Sequence, residues 1–355
     1  MSNCFIRKLN FVLSIYGQQL CSPKLFFYRY IIRILYLAIS GYTIVHSALT
    51  STKFNTGTVI TPVYHAICTL MYVKFWYDSA KITDFCFTID ALVTNSDKRL
   101  LCKYQTKIIT CIAIQFLLEI LSNMVFNYVD DEYAYNVYGF KITSESTTVY
   151  KWSTKLIVAI VNPIIGAIWS LSLMGVYILM LNCIDKAHHR FFIESVKQIN
   201  IARIRLDWQQ IVEVRESFEC LFSLYPLVWF ANMFFRSVIY LISTSKESQN
   251  WNINTVVVWY WFVIQLIHSF SILYVSHTVN SNSNRSFKQF CRDTTSKEGN
   301  DFKQKWEIEI LKQEIRNDLD LKLTAFNLFD INSKLLLSFI SALITFSVLF
   351  LQLYN

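Results

Sequence analysis

The sequence predicts an all-α membrane protein with seven transmembrane helices, and three observations predict it. The first is composition. Of 355 residues, 54% are hydrophobic and only 16% are charged, against about 25% charged in soluble domains. The second is a set of seven apolar runs, near residues 31–49, 59–77, 108–129, 152–180, 218–243, 255–279 and 333–353. Each is close to the roughly 20 residues that cross a hydrocarbon core. The third is the placing of Lys and Arg. Segments 1–30, 78–107, 181–217 and 280–334 hold 25 of them, whereas the alternating segments 50–58, 130–155 and 244–254 hold 5. Positive charge stays on the cytoplasmic side, so the N-terminus is expected in the cytoplasm and the C-terminus outside. The net charge of +8 follows from this bias and calls for no nucleic-acid partner.

The elements follow in order. Residues 1–30 mix polar and aromatic types without the pattern of a cleavable leader, so the run 31–49, with Arg33 and His46 near its ends, reads as a spanning anchor. The second run carries Tyr64 and His65, and the third carries Glu119, Asn123 and Asn127. The longest outer loop follows, with Asp130, Asp131 and Glu132 in a row. The fourth run holds Asn162 and Trp169. Its helix is expected to continue through residues 181–217, by way of Phe191, Phe192, Val196, Ile201 and Ile204, toward the fifth. The fifth run has Asn232 and Arg236, and the sixth has Trp259, Trp261 and Gln265.

Residues 281–300, rich in Asn, Ser, Arg, Thr and Lys, read as a flexible linker. Residues 301–323 then form a charged amphipathic helix, with Ile308, Leu311, Ile315 and Leu319 at spacings of three, four and four. That stripe needs a partner. Cytoplasmic extensions of the fourth, fifth and sixth spans of the same chain would serve, and so would a bundle where subunits meet. Asp330 to Ser333 supply capping residues for the last span. The expected division is a six-span sensing domain with cytoplasmic extensions (1–279), a linker with an anchor helix (280–332) and a last span (333–355).

Ser338, Ser341, Thr345 and Gln352 fall on one face of that last span. A glutamine in an apolar helix near a membrane boundary is costly unless it faces protein or water. A water-filled path along this face would satisfy it. For the three hydroxyls, helix packing with bonds back to the helix is the favoured reading.

Intramembrane polar groups mark candidate sites. Glu119, Asn123, Asn162, Trp169, Arg236, Trp259 and Gln265 are the candidates for a small-molecule pocket. Glu119 and Arg236 have opposite signs and either pair to hold helices together or line that pocket. No catalytic pair faces another across spans, so neither an enzyme nor a cofactor is expected. The nine cysteines show no metal spacing and read as small buried hydrophobes. His188-His189 reads as a solvated or phospholipid-facing pair, and the sequon Asn284-Arg285-Ser286 as cytoplasmic and unmodified.

The C-terminal sequence, Leu328-Phe329-Asp330-Ile331-Asn332, then Leu335-Leu336, Ser338, Ser341-Ala342 and the stretch Thr345 to Leu353, resembles the end of the insect gustatory receptors. Their signature is Thr-Tyr, five hydrophobic residues, then Gln-Phe, at the tail of the seventh span. Thr345 and Gln352 match at the right spacing, Phe346 stands for the Tyr and Leu353 for the final Phe.

The resemblance implies a homo- or heterotetrameric, ligand-gated, non-selective cation channel in the plasma membrane of gustatory neurons (dendrite, axon and cell body). Four last spans would line a central pore, with Gln352 and Leu353 at the constriction. Cytoplasmic helices would anchor the subunits, and the partners would be a small tastant, permeating cations and the bilayer. No sequence feature draws the chain into the sugar-receptor group, so a bitter-type ligand is the expectation. An odorant-type channel of the same superfamily would share topology and pore. A rhodopsin-like G-protein-coupled receptor would need the N-terminus outside, and its Asp-Arg-Tyr motif is absent.

Overall fold

In the computed structural model, the residues described are 12–16, 18, 26–50, 56–129, 147–197, 200–247, 253–295, 302–319, 324–325, 329–331 and 333–354. They are almost wholly helical, as the composition requires. The helices are α1 (Phe26–Thr50), α2 (Thr56–Tyr77), α3 (Ser79–Leu92), α4 (Asn95–Val129), α5 (Thr148–Pro163) and α6 (Trp169–Ser195). After these come α7 (Ile201–Phe222), α8 (Leu224–Glu247), α9 (Ile253–Thr295), α10 (Phe302–Leu319) and α11 (Ser333–Tyr354). A two-residue antiparallel pair, β1 (Thr324–Ala325) with β2 (Phe329–Asp330), sits between α10 and α11.

Every apolar run of the sequence lies on these helices. By length and composition, the described stretches able to cross a membrane are Asp97–Val125, Thr148–Ser195 and Trp259–Thr294. The pair Ile201–Phe222 and Leu224–Phe235, bent by 40°, makes a fourth.

The stretch from Thr148 to Ser195 is continuous. Pro163 ends α5, and a π-turn at Ile164–Ile168 carries the chain into α6. Proline lacks the N–H that the α-helical ladder needs and crowds the preceding turn, and widening to i→i+5 bonds relieves both. The 48 residues reach about 72 Å, more than twice the hydrocarbon thickness. Residues 181–195, which carry Asp185, Lys186, Arg190 and Glu194, therefore lie beyond the bilayer.

Two cores result. The larger one joins α1, α2, α3, α4, α6, α7, α8 and α9 around Tyr72, Phe75, Trp169, Tyr177, Phe218, Phe222 and Tyr225, all under 2% exposed. The N-terminal residues Leu13, Tyr16 and Gln18 are buried in the same bundle. Tyr16 donates its hydroxyl to the Ile164 carbonyl of the π-turn at 2.8 Å, Tyr72 donates to the Tyr16 carbonyl at 2.6 Å, and Arg33 donates to Gln18 Oε1 at 3.1 Å. Nothing in the polar and aromatic mix of residues 1–30 announces this insertion.

The smaller core lies beyond the apolar runs and unites α6, α7, α9 and α10. Phe191, Phe192, Ile204, Trp208, Ile211, Phe287, Phe290, Leu311, Ile315 and Leu319 form it. Three of the four stripe residues on α10 are thus buried within the chain itself, and Ile308 is half-buried. Arg205 Nε meets Glu314 at 2.8 Å, and Trp208 Nε1 donates to Asp318 Oδ2 at 2.7 Å.

Four expectations are corrected here. The continuous helix over 181–217 is broken, because α6 stops at Ser195 and Asn200 caps α7 by accepting from the Arg203 N–H at 3.2 Å. Residues 281–295 are not a linker: α9 runs through them to Thr295. Ser283, Phe287 and Phe290 recur at four and three residues along it and are buried, so a polar composition hid an apolar face.

His188 is not solvated. It is buried, stacked on Trp208 with centroids 5.9 Å apart, and its Nδ1 bonds Ser283 Oγ at 2.7 Å; His189 beside it meets Ser286 Oγ at 3.3 Å on the exposed side. Among the described cysteines, Cys102, Cys111 and Cys220 are exposed, whereas Cys68, Cys86 and Cys183 are buried as expected. Cys4 and Cys21 lie outside the described residues.

Burial first, and then the nearby Arg215 guanidinium, push His188 from 6.5 down to about 3. The folded protein holds this ring neutral, whereas an unfolded chain takes up a proton near the ordinary value. Its contribution to stability is therefore complete above about pH 6.5 and is lost as pH falls toward the folded value, at up to about 1.4 kcal/mol per unit. Melting temperatures of the purified protein should drop more steeply between about pH 6.5 and pH 5 than those of His188→Gln. Parallel pH profiles would contradict this.

Candidate ligand pocket and pore helix

A chain of buried and half-buried amides and ionisable groups links α2, α4 and α5. Asn162 on α5 donates Nδ2 to Asn123 Oδ1 on α4 at 2.9 Å. Its Oδ1 is left to accept, and it meets His65 Nε2 on α2 at 3.2 Å. The imidazole proton on this edge therefore belongs to Nε2. Asn123 in turn donates to the Glu119 carbonyl at 2.7 Å. One turn earlier Gln115 Nε2 donates to Glu119 Oε1 at 2.9 Å and faces the Tyr260 hydroxyl of α9 at 3.2 Å.

Periodicity explains the convergence. Gln115, Glu119 and Asn123 recur every four residues and share one face of α4. That face meets α5, whose Asn162 immediately precedes Pro163 and the π-turn. Gly166 lies in that turn against Tyr64 on α2: a Cβ there would stand 2.5 Å from Tyr64 Cε1. Only a residue without a side chain lets α2 and the turn close to this distance. Gly166→Ala should destabilise the protein by about 1–3 kcal/mol, and adding Tyr64→Ala should remove most of that excess in a double-mutant cycle. Additive losses in thermal unfolding would show that the two do not meet.

The sequence-derived pocket residues separate on this map. Glu119, Asn123 and Asn162 are brought together. His65, beside Tyr64 on α2, and Gln115 on α4 complete the set. The i, i+4 spacing of Gln115 with Glu119 was the available signal for Gln115. Trp169 stands apart from them in the larger core with no exposed surface, its ring 5.2 Å from Tyr16, 5.0 Å from Tyr72 and 5.5 Å from Phe75. Trp259 is on the outside of α9 and meets Phe262 edge to face. Asn232 is buried on α8. The side chains of Arg236 and Gln265 lie outside the described residues.

The last helix, α11, packs against α8 and α9. Phe346 meets Phe234 edge to face with centroids 5.4 Å apart, and Leu335 and the buried Ile331 tie its start to the larger core. Most of the rest is uncovered in the single chain. Leu337 is 70% and Ile344 60% exposed, and Ser338, Ser341, Thr345 and Gln352 are exposed as well. Thr345 donates its hydroxyl back to the Ser341 carbonyl at 2.9 Å, which satisfies it within the helix. The Leu353 side chain lies outside the described residues.

A fastening leads into α11 from the bend between α7 and α8. Glu219 Oε1 accepts from the Thr324 N–H at 2.8 Å and from the Thr324 hydroxyl. The strand pair that immediately precedes α11 is thereby held to the end of α7.

Among the described residues, no group of three or more His, Cys, Asp and Glu is placed to hold a metal ion.

This arrangement has close counterparts in shape. The structure of the insect olfactory receptor OR5 from Machilis hrabei superposes with a TM-score of 0.69 at 13% identity, covering 98% of each chain. The same receptor in complex with eugenol superposes with a TM-score of 0.65 at 13% identity, again over 98% of each. At such identity the likeness establishes the fold alone. No curated protein matches the chain in sequence. The model of the 7tm chemosensory receptor family matches residues 17–354, nearly the whole chain, and on that match the protein belongs to the 7tm chemosensory receptor family.

Proposed function

We propose that this receptor is a gustatory, ligand-gated, non-selective cation channel of four subunits in the plasma membrane, with α11 lining the pore and a small organic tastant bound between the outer halves of the spanning helices. The observation that carries this reading is the uncovered polar face of α11. Ser338, Ser341, Thr345 and Gln352 face away from the chain's own bundle on an otherwise apolar helix. A lipid-facing glutamine at the end of a span is costly, and four such faces turned toward a common axis give it water and permeant ions instead.

Gln352 amides offer ions partial replacement of their hydration, and a ring of Leu353 side chains forms an apolar constriction that closes by dewetting. In support of a ligand site, the polar set His65, Asn123, Asn162, Gln115 and Glu119 supplies donors and acceptors in an apolar surrounding, as small-molecule sites do. The related fold that binds eugenol is compatible with a ligand of similar size.

Thr345 and Gln352 at the spacing of the taste-receptor signature favour the gustatory over the odorant branch. Expression in cells with a panel of tastants, recorded as cation current, tests the function. A response that requires G proteins and shows no direct conductance overturns it. Leu353→Ala should raise basal current several-fold without ligand, and a silent baseline would remove Leu353 from the gate.

A further inference from the structure

We propose that the cytoplasmic start of α4 is a binding site for a polyphosphoinositide of the inner leaflet. Arg99, Lys103 and Lys107 recur every four residues along α4 and are all exposed, so they form one stripe about 12 Å long. The same face continues upward as Ile114, Leu117, Leu118 and Leu121, exposed by 53%, 61%, 39% and 61%. All seven positions fall within an arc of about 100°. When the apolar half of this face lies against lipid tails, the three cations stand directly beneath it.

Carboxylates are absent from the stripe. Asp90 is engaged by Lys98 at 3.0 Å, Asp97 accepts from the Thr94 hydroxyl at 2.6 Å, and Glu119 lies on the opposite side of the helix among the buried amides. Tyr104 borders the stripe, its ring 5.9 Å from Lys107 Nζ. It offers the amphipathic side chain favoured at headgroup depth.

Spacing selects the lipid. Lys107 stands at the edge of the apolar run that begins at residue 108, within headgroup depth. Arg99 lies about 13 Å farther down the helix than that edge, beyond the headgroup layer. A single phosphate at the membrane surface serves Lys107 and its neighbour. A headgroup that projects further phosphates into the cytoplasm engages all three cations at once.

This proposal rests on the inward placement of residues 78–107 stated above. The test uses the full-length protein in phosphatidylcholine nanodiscs carrying either phosphatidylinositol bisphosphate or phosphatidylserine at matched charge, with bound lipid counted by native mass spectrometry. Each neutralised cation should weaken bisphosphate binding about fivefold, so R99Q/K103Q/K107Q should lose about a hundredfold. R99K/K103R/K107R should bind as the parent does, and R203Q/K305Q/R316Q, which removes equal charge from the cytoplasmic bundle, should bind unchanged.

Equal loss in that control, equal binding of phosphatidylserine, or no loss in the Gln triple each overturns the site. An N-terminal epitope tag stained in intact and in permeabilised cells tests the orientation by itself. Staining of intact cells overturns the orientation and the lipid site together, whereas staining only after permeabilisation leaves the binding data to judge the site alone.

Discussion

Trp208→Ala is expected to lower the unfolding free energy by about 3–5 kcal/mol and to abolish surface expression. Trp208 stands in the middle of the smaller core, with ring centroids 5.1 Å from Phe191, 5.8 Å from Phe192 and 5.9 Å from His188. It reaches α6 through those rings and α10 through the Asp318 carboxylate. Truncation opens a cavity among aromatic rings that cannot collapse onto one another, and it strands a carboxylate acceptor. The neutral His188 loses its stacking partner at the same time. Trp208→Phe separates these effects. It keeps most of the packing and deletes only the N–H donor, so the loss should be about 1–3 kcal/mol. Equal melting temperatures for Trp208→Ala and the parent would show that this bundle is not a cooperative part of the fold.

The second large effect is expected at Asn162. Asn162→Leu leaves the His65 Nε2 proton and Asn123 Oδ1 without the partners seen at 3.2 and 2.9 Å, and each polar group so stranded costs about 1–3 kcal/mol. Ligand-evoked current should fall more than tenfold while a Leu353→Ala background stays open. That comparison places the defect in sensing rather than in conduction. Adding His65→Leu removes a stranded donor, so the double variant should be more stable than the Asn162→Leu single in thermal unfolding. Strict additivity would dissolve the network, and an unchanged ligand response in Asn162→Leu would move the pocket elsewhere.

Much of this was legible beforehand, for identifiable reasons. Apolar runs of spanning length and 3.6-residue periodicity are local properties, so the helices over 31–49, 108–129, 255–279 and 333–353 could be read without knowing what they touch. The stripe of Leu311, Ile315 and Leu319 was visible too, because burial of one helix face depends only on spacing. Its partner was not visible. Both the chain's own α6, α7 and α9 and a neighbouring subunit offered apolar surface, and only the packing assigned the stripe to the former.

Composition failed where one face disagreed with the average. Residues 281–295 are mostly polar, yet Ser283, Phe287 and Phe290 lie in line and seal the smaller core. His188 and His189 looked alike in sequence, but adjacent residues on a helix point about 100° apart. One is therefore buried on Trp208, and the other is directed outward to Ser286.

The sequence by itself determined an all-α membrane chain, the gathering of its basic residues into alternate segments and the polar face of its last helix. Each depends on residue type and short-range spacing alone. Tertiary structure alone decided that Tyr16 and Gln18 enter the bundle, that His65, Asn123 and Asn162 meet, and that Glu219 holds the strand before α11. Those contacts join residues 15 to 148 positions apart, and no local pattern encodes a distance of that kind. It is set by how the helices pack once every buried polar group must find a partner.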